Sequence, residues 1–171
     1  MAKKITFTLS PSSINNAIKE VRKYQSDIDY KCRILAQRLA EEGVFIARLK
    51  IAEYDAIYTT ELLQSIKSEY GGVVQHGGKW IVYTGCEWAP FVEFGTGLVG
   101  SQSPHPDTSL VNWRYDIGEH GVAGWHYFND TDGQWHWTKG MPSRPFMYET
   151  GKELRLIVQK IAKEVFGSGL R

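Results

Sequence analysis

The sequence predicts an α+β domain: a long N-terminal helix and a C-terminal helix packed on a small, mostly antiparallel sheet, with an aromatic β-hairpin insertion. Three patterns predict it. Apolar residues recur three and four apart from Ile14 to Leu49, and again from Leu154 to Val165, as in helices that bury one face. Between these stripes lie β-rich runs punctuated by glycine pairs, around Lys79–Thr84. Two aromatic runs, Gly124–Phe128 and Gln134–Thr138, flank a turn-forming Asn129–Gly133.

Size and charge narrow the classes. A chain of 171 residues reads as one domain, 1–171, large enough to bury a core, with 97–139 as its insertion. Twenty basic residues against nineteen acidic ones leave a formal charge of +1, which argues against a protein whose main task is to clamp nucleic acid. No stretch approaches the roughly 20 apolar residues of a membrane span, so no membrane association is expected. The N-terminus has two lysines but no long apolar core, so it does not read as a secretory signal, and synthesis in a cytoplasm is expected. Cys32 and Cys86 lie far apart without a Cys-x-x-Cys partner and read as reduced, partly buried thiols.

The elements follow in order. Lys4 to Leu9 alternates Ile5, Phe7 and Leu9 with Thr6 and Thr8, a short strand signal. Ser10 reads as a helix N-cap, with Pro11 in the first helical position. The stripe of Ile14, Ile18, Val21, Tyr24, Ile28, Cys32, Leu35, Leu39, Ile46 and Leu49 then predicts either one rod of about 54 Å or a helix restarting at Ser26-Asp27. Its apolar face is expected to pack on the core; self-association is the alternative. Ala52 to Thr60 reads as a connection, followed by a helical turn that leads into a strand at Ile66–Tyr70. Gly71-Gly72 and Gly77-Gly78 punctuate the way to a second strand, Lys79–Thr84. Glu87–Phe94 is expected as a short helix with Trp88, Phe91 and Val92 inward, ended by Gly95. Gly97 to Tyr115 reads as loop. In the hairpin, Trp125 and Tyr127 share a face, as do Trp135 and Trp137, and cross-strand aromatic packing is expected to make a local core. The last helix has two competing starts, Ser143 before Pro145 and the capping box Thr150–Glu153. Gly167 should stop it, and Ser168–Arg171 should fray.

Most apparent chemistry in the chain has a simpler reading. Gly95–Gly100 satisfies G-x-G-x-x-G, but no strand–helix context surrounds it, so a flexible loop is expected and no cofactor. Asn129–Gly133 hints at a calcium loop, yet the slots for its first carboxylate and last glutamate hold Phe128 and Lys139; a turn is the better reading. The histidines are His76, His105, His120, His126 and His136, none in a His-x-x-x-His pair. His126 and His136 could meet across the hairpin and offer two metal ligands, against the expectation of solvent-facing strand positions. His105-Pro106-Asp107 has the tripeptide of chaperone J-domains without the helices that flank it there. Glu87 and Glu93 point in different directions on a short helix and read as surface or locally pairing carboxylates rather than an acid–base pair. No catalytic residue, cofactor or metal is assigned. The Trp-rich hairpin offers an alternative role as a carbohydrate- or single-strand-binding module, since exposed aromatics stack on sugars and bases, though only Lys139 adjoins its second strand. As an interface, Trp125, Tyr127, Trp135 and Trp137 would meet a neighbouring subunit.

Three stretches in a fixed order carry a resemblance. Thr60–Ile66 (TELLQSI) comes first, Ala89–Thr96 (APFVEFGT) second and Gly140–Phe146 (GMPSRPF) third, before the amphipathic C-terminal helix. From Tyr58 to Val165 the chain resembles the tail-completion, or head–tail joining, neck proteins of long-tailed bacteriophages. The resemblance implies a structural, non-enzymatic virion protein that assembles into a ring, a hexamer by analogy, around the DNA channel. Its partners would be copies of itself, the connector or stopper, and the tail-terminator or tail-tube proteins; DNA would pass without specific binding. The protein would be made in the bacterial host and end in the virion neck. Pro90, Phe91, Glu93, Phe94 and Gly95 fall in one motif, and Pro142, Arg144, Pro145 and Phe146 in the other. The resemblance places Glu93 and Arg144 in the two motifs, so that an ion pair joining them is one reading and a solvated arginine the other. The length and Trp content of 97–139 depart from the family pattern.

Overall fold

The computed structural model describes residues 4–56, 60–75, 77–109, 111–116, 118 and 122–167. Its element order is α1 (Pro11–Glu53), α2 (Thr60–Ser65), β1 (Ile66–Val74), β2 (Gly77–Thr84), α3 (Ala89–Phe94), α4 (Gly97–Gln102), β3 (Trp125–Asn129), β4 (Gln134–Thr138), β5 (Gly140–Met141) and α5 (Phe146–Gly167). The architecture is α+β, as the sequence predicts, with two small antiparallel sheets, β1–β2 and β3–β4. His76, His120 and the C-terminal Ser168–Arg171 lie outside the described residues, as does Tyr58 at the edge of the resemblance.

Ser10 caps α1 as expected: its Oγ accepts the Ser13 amide at 3.3 Å and its carbonyl accepts the Ile14 amide at 3.0 Å. The helix then runs unbroken for 43 residues, about 64 Å. Ser26-Asp27 does not restart it. Neither Gly nor Pro lies between Ser12 and Glu42, and an interior Ser or Asp costs only a few tenths of a kcal/mol of propensity. The strand expected at Lys4–Leu9 is absent; these residues are irregular, and the Thr8 amide donates to Ser13 Oγ at 2.9 Å instead of entering a ladder.

The chain divides into two units: Met1–Glu41, Ser68–Ile81 and Leu156–Arg171 in one, Glu42–Lys67 and Val82–Arg155 in the other. In the first, Ala40 of α1 and Ile161 and Val165 of α5 are buried, Arg38 Nη2 meets Glu164 Oε2 at 2.7 Å, and the Tyr70 and Trp80 rings pack edge to face. The second holds the larger core. Ala47 and Ile51 of α1, Leu62 and Ile66, Ala89 and Val92, and Phe146 form it, with Ala56 and Cys86. Arg48 donates to the Ile66 carbonyl at 3.0 Å, and the Ser65 and Thr84 hydroxyls meet at 2.6 Å. Lys50 Nζ sits between Glu153 at 2.7 Å and Glu53 at 2.8 Å; those two hydrogen bonds hold its ammonium above the ordinary lysine range.

Two expectations arise here. Phe146 is 1% exposed at the centre of this core. Phe146→Ala should therefore destabilise the chain by about 3–5 kcal/mol, read as a lower urea midpoint at unchanged m. Burial pushes the Cys86 thiol above its ordinary value. In a Cys32→Ser background, native protein should react slowly with a disulfide reagent at mildly alkaline pH, and urea-unfolded protein quickly; equal rates would place Cys86 at the surface.

Candidate functional site

The two motifs of the resemblance meet along their backbones. Pro90 lies in the first turn of α3, and Gly95 closes that helix with its amide on the Phe91 carbonyl at 2.8 Å. One turn of helix directs Ala89, Val92 and Glu93 inward, while Phe91 is exposed and packs edge to face on Trp113. This corrects the expectation that Phe91 points inward; a helix this short has one buried face, and Val92 and Glu93 occupy it. The Val92 carbonyl accepts the Arg144 amide at 2.9 Å, and the Glu93 carbonyl accepts Ser143 Oγ at 2.6 Å. Thr96 Oγ1 accepts the Met141 amide at 3.2 Å, and Thr96–Met141 and Gly97–Gly140 form antiparallel bridges. Gly140, at φ 99°, belongs here because a Cβ would collide with the Thr96 carbonyl.

Glu93 is the centre of this joint. It is 7% exposed, and its carboxylate accepts three hydrogen bonds. The Met147 amide donates to Oε2 at 2.8 Å, and the Tyr148 amide and His105 Nε2 donate to Oε1 at 3.0 and 3.1 Å. Met147 and Tyr148 stand in the first turn of α5, where backbone N–H groups have no partner within the helix and the macrodipole favours negative charge. A buried carboxylate thus caps α5 from another element. The Asp107 amide donates to His105 Nδ1 at 2.9 Å, so Nδ1 carries no proton and Nε2 carries the one given to Glu93. Phe94 and Tyr148 flank the imidazole, with centroids at 4.5 and 5.3 Å, and Phe94 also stacks on Trp113. Trp113 Nε1 donates to the Gly95 carbonyl at 2.9 Å. Ser109 hydroxyl and amide bonds hold the Asp107 carboxyl below its ordinary value, stiffening the His105 loop. The expected measurement is a nitrogen NMR signature that places the His105 proton on Nε2; an Nδ1–H signal would contradict this network.

In place of a Glu93–Arg144 ion pair, the Glu93 carboxylate meets the Met147 and Tyr148 amides and His105. Arg144 contributes its backbone: its amide donates to Val92, and its carbonyl accepts the Phe146 amide at 2.7 Å. Of the two readings for these carboxylates, surface or local pairing, Glu87 is exposed and Glu93 is buried among hydrogen-bond partners. Pro145 and Phe146 are buried, Pro142, Phe94 and Arg144 are half-buried, and Pro90 is exposed. Sequence reading missed His105, the one side chain among the described residues that bonds the Glu93 carboxylate. The only available signal was its tripeptide with Pro106 and Asp107, in which Asp107 does supply the amide that sets the tautomer.

The G-x-G-x-x-G stretch is also corrected: instead of loop, Gly97–Gln102 forms α4, preceded by α3 rather than a strand. The aromatic hairpin forms in the register Trp125↔Thr138, His126↔Trp137, Tyr127↔His136 and Phe128↔Trp135. Opposed residues share a face, so Trp125 and Tyr127 lie on one side with His136, and Trp135 and Trp137 on the other with His126 and Phe128. His126 and His136 therefore cannot meet. Nor do the four aromatics make a local core: Trp135 is 69% and Trp137 53% exposed, and Tyr127 is exposed too. Trp125 is the half-buried member. The Phe128 and Trp135 rings pack edge to face, and Lys139 Nζ lies 5.4 Å from the centroid of Trp137. In the turn, Asn129 Oδ1 accepts the Thr131 amide and Asp132 Oδ1 the Gln134 amide, as the turn reading expects.

Among the described residues, no group of three or more His, Cys, Asp and Glu side chains could hold a metal ion, and no buried side-chain polar atom lacks a hydrogen-bond partner. The polar groups around Glu93 are used up in holding the chain together. Among the described residues no helix is long and apolar enough to cross a membrane. No family model, curated protein or solved structure matches the chain.

Proposed function

We propose that this chain is a structural subunit of the head–tail junction of a long-tailed bacteriophage, acting by assembly into a ring around the DNA channel rather than by catalysis. One observation carries the reading. The three stretches of the resemblance, far apart in sequence, share one core through Leu62 and Ile66, Ala89 and Val92, and Phe146, and Glu93 ties the second stretch to the helix that follows the third. These residues therefore work as a unit that fixes a scaffold, and among the described residues no buried side-chain polar atom is without a partner. Ring subunits need complementary surfaces on a single chain, because heterologous contacts close by rotation. The exposed Trp135–Trp137 face of the hairpin offers one, since aromatics are enriched at interface centres.

Light scattering across a concentration series, with negative-stain imaging, tests this. The expected result is a discrete multiple of the 19.5 kDa subunit, visible as rings, in free protein or on mixing with purified connector and tail. Trp135→Ala/Trp137→Ala should abolish the rings without altering the fold. Absence of rings under every condition, connector and tail included, would reject the reading. The exposed Trp pair also favours a second reading, a carbohydrate- or single-strand-binding module, which predicts quenching of Trp fluorescence by those ligands.

A further inference from the structure

We propose that one polar face of α1 binds the phosphate backbone of double-stranded DNA without regard to sequence. Ser12, Asn15, Lys19, Lys23, Ser26 and Tyr30 recur three and four apart, and at 3.6 residues per turn they fall within an arc of about 80°. The stripe runs about 27 Å along the helix. Every member is exposed, Tyr30 at 58%. Every member carries a hydrogen-bond donor, and no acidic residue between Pro11 and Arg33 falls inside the arc. Exposed Arg22 borders it. Exposed Arg33 continues it by one turn, with its stem against Gly78 of β2. Lys, Arg, Ser, Asn and Tyr are the side chains that hold phosphate oxygens, and such contacts carry no sequence information.

Charge selects the ligand. The formal charge of +1 averages two opposite parts. The unit made of Met1–Glu41, Ser68–Ile81 and Leu156–Arg171 has twelve basic and six acidic residues, +6, and the other has eight and thirteen, −5. The stripe lies in the basic unit, whose field attracts a polyanion. An acidic protein would meet it through an interface with an apolar centre, yet between Pro11 and Arg33 the arc holds no aliphatic side chain, and Tyr30 is its one aromatic. An anionic lipid surface takes up the apolar side of a helix, and Lys19 and Lys23 stand opposite Val21, where they would point away from the lipid. A single strand stacks its bases on several aromatic rings, which this face lacks. Duplex DNA needs none of these. It offers one charge per roughly 1.7 Å to an unbroken helix, and a helix about 10–12 Å across fits the major groove. The contact stands whether or not the hairpin joins subunits into a ring.

Fluorescence anisotropy of a labelled duplex with the full chain, over a salt series starting near about 20 mM, tests the proposal. AT-rich and GC-rich duplexes should bind within a few-fold of each other. With Lys19, Arg22, Lys23 and Arg33 engaged, log K should fall against log salt with a slope of about −3 to −4. Lys19→Gln/Lys23→Gln should weaken binding about tenfold or more at the lowest salt and reduce that slope by about 2. Both lysines are exposed and Gln matches Lys in helix propensity, so the urea midpoint should not move. Lys160→Gln/Lys163→Gln removes the same charge from exposed positions of α5 and should change the affinity by less than about threefold. No binding at the lowest salt would overturn the proposal, as would equal losses in the two double variants, which would mean net charge alone. Binding to phosphatidylserine vesicles or polyglutamate but not to duplex would overturn it too. Below any concentration of assembly, Trp135→Ala/Trp137→Ala should leave the duplex affinity intact; its loss there would assign the DNA to the hairpin and reject the helix. Failure of this face and failure of the ring are thus separately visible.

Discussion

Glu93→Ala should destabilise the protein by about 3–5 kcal/mol, close to the whole stability of a marginal domain. The substitution removes the acceptor for the Met147 and Tyr148 amides and for His105 Nε2, and leaves three donors unpaired around a buried site. Glu93→Gln should cost less, about 1–3 kcal/mol, because its amide keeps the shape and one acceptor oxygen while its NH₂ faces an N–H group. Urea unfolding gives the magnitudes. Amide exchange gives the location: Met147 and Tyr148 should lose protection first in either variant. Arg144→Ala separates this account from a Glu93–Arg144 ion pair, because only the Arg144 backbone is used in the joint. Its cost should be well below that of Glu93→Ala. Comparable costs for the two would mean that the guanidinium holds the joint after all.

The start of α5 shows how far local sequence could go. Both start signals are present, and by pattern alone the Thr150 capping box competes with the Pro145 start. The structure takes the earlier one because Glu93 supplies caps from 54 and 55 residues away. Thr150, left inside the helix, turns its hydroxyl back to the Phe146 carbonyl at 2.7 Å. The apolar stripe from Leu154 to Val165 was legible because it depends on periodicity within one element. The same holds for the Ser10 cap, the α2-to-β1 switch at Ile66 and both strands of the aromatic hairpin. What failed needed a partner that sequence does not name. Alternation at Lys4–Leu9 is a strand only if another strand is available to pair with it. Alternation in the hairpin sorts Trp125 and Tyr127 from one another's neighbours, but the cross-strand register decides that His126 and His136 lie on opposite faces. The Glu93–His105 contact leaves no periodic trace at all, so neither the burial of this carboxylate nor its partner was legible.

Gly95→Ala should cost about as much as Glu93→Ala, for an independent reason. Gly95 sits at φ 79° and ψ 168°, a region that residues with a side chain rarely enter and that costs of order 1–3 kcal/mol. A Cβ there would also stand 2.6 Å from the Ser143 amide nitrogen and 2.9 Å from the Met141 carbonyl oxygen. Both are backbone atoms of the facing motif, so no rotamer change relieves the clash, and overpacking of this kind adds about 1–3 kcal/mol. Gly133 is the control. It too has positive φ, 68°, but its Cβ would meet nothing within 4 Å, so Gly133→Ala should show the conformational cost alone, about 1 kcal/mol. The difference between the two variants measures how tightly 92–97 and 140–144 are pressed together. If Gly95→Ala costs no more than Gly133→Ala, the two strands can part without loss, and a rigid joint cannot be what this pair of motifs provides. A large difference would make Gly95 a positional requirement of the joint in its own right, set by the approach of two backbones and not by any chemistry carried in a side chain.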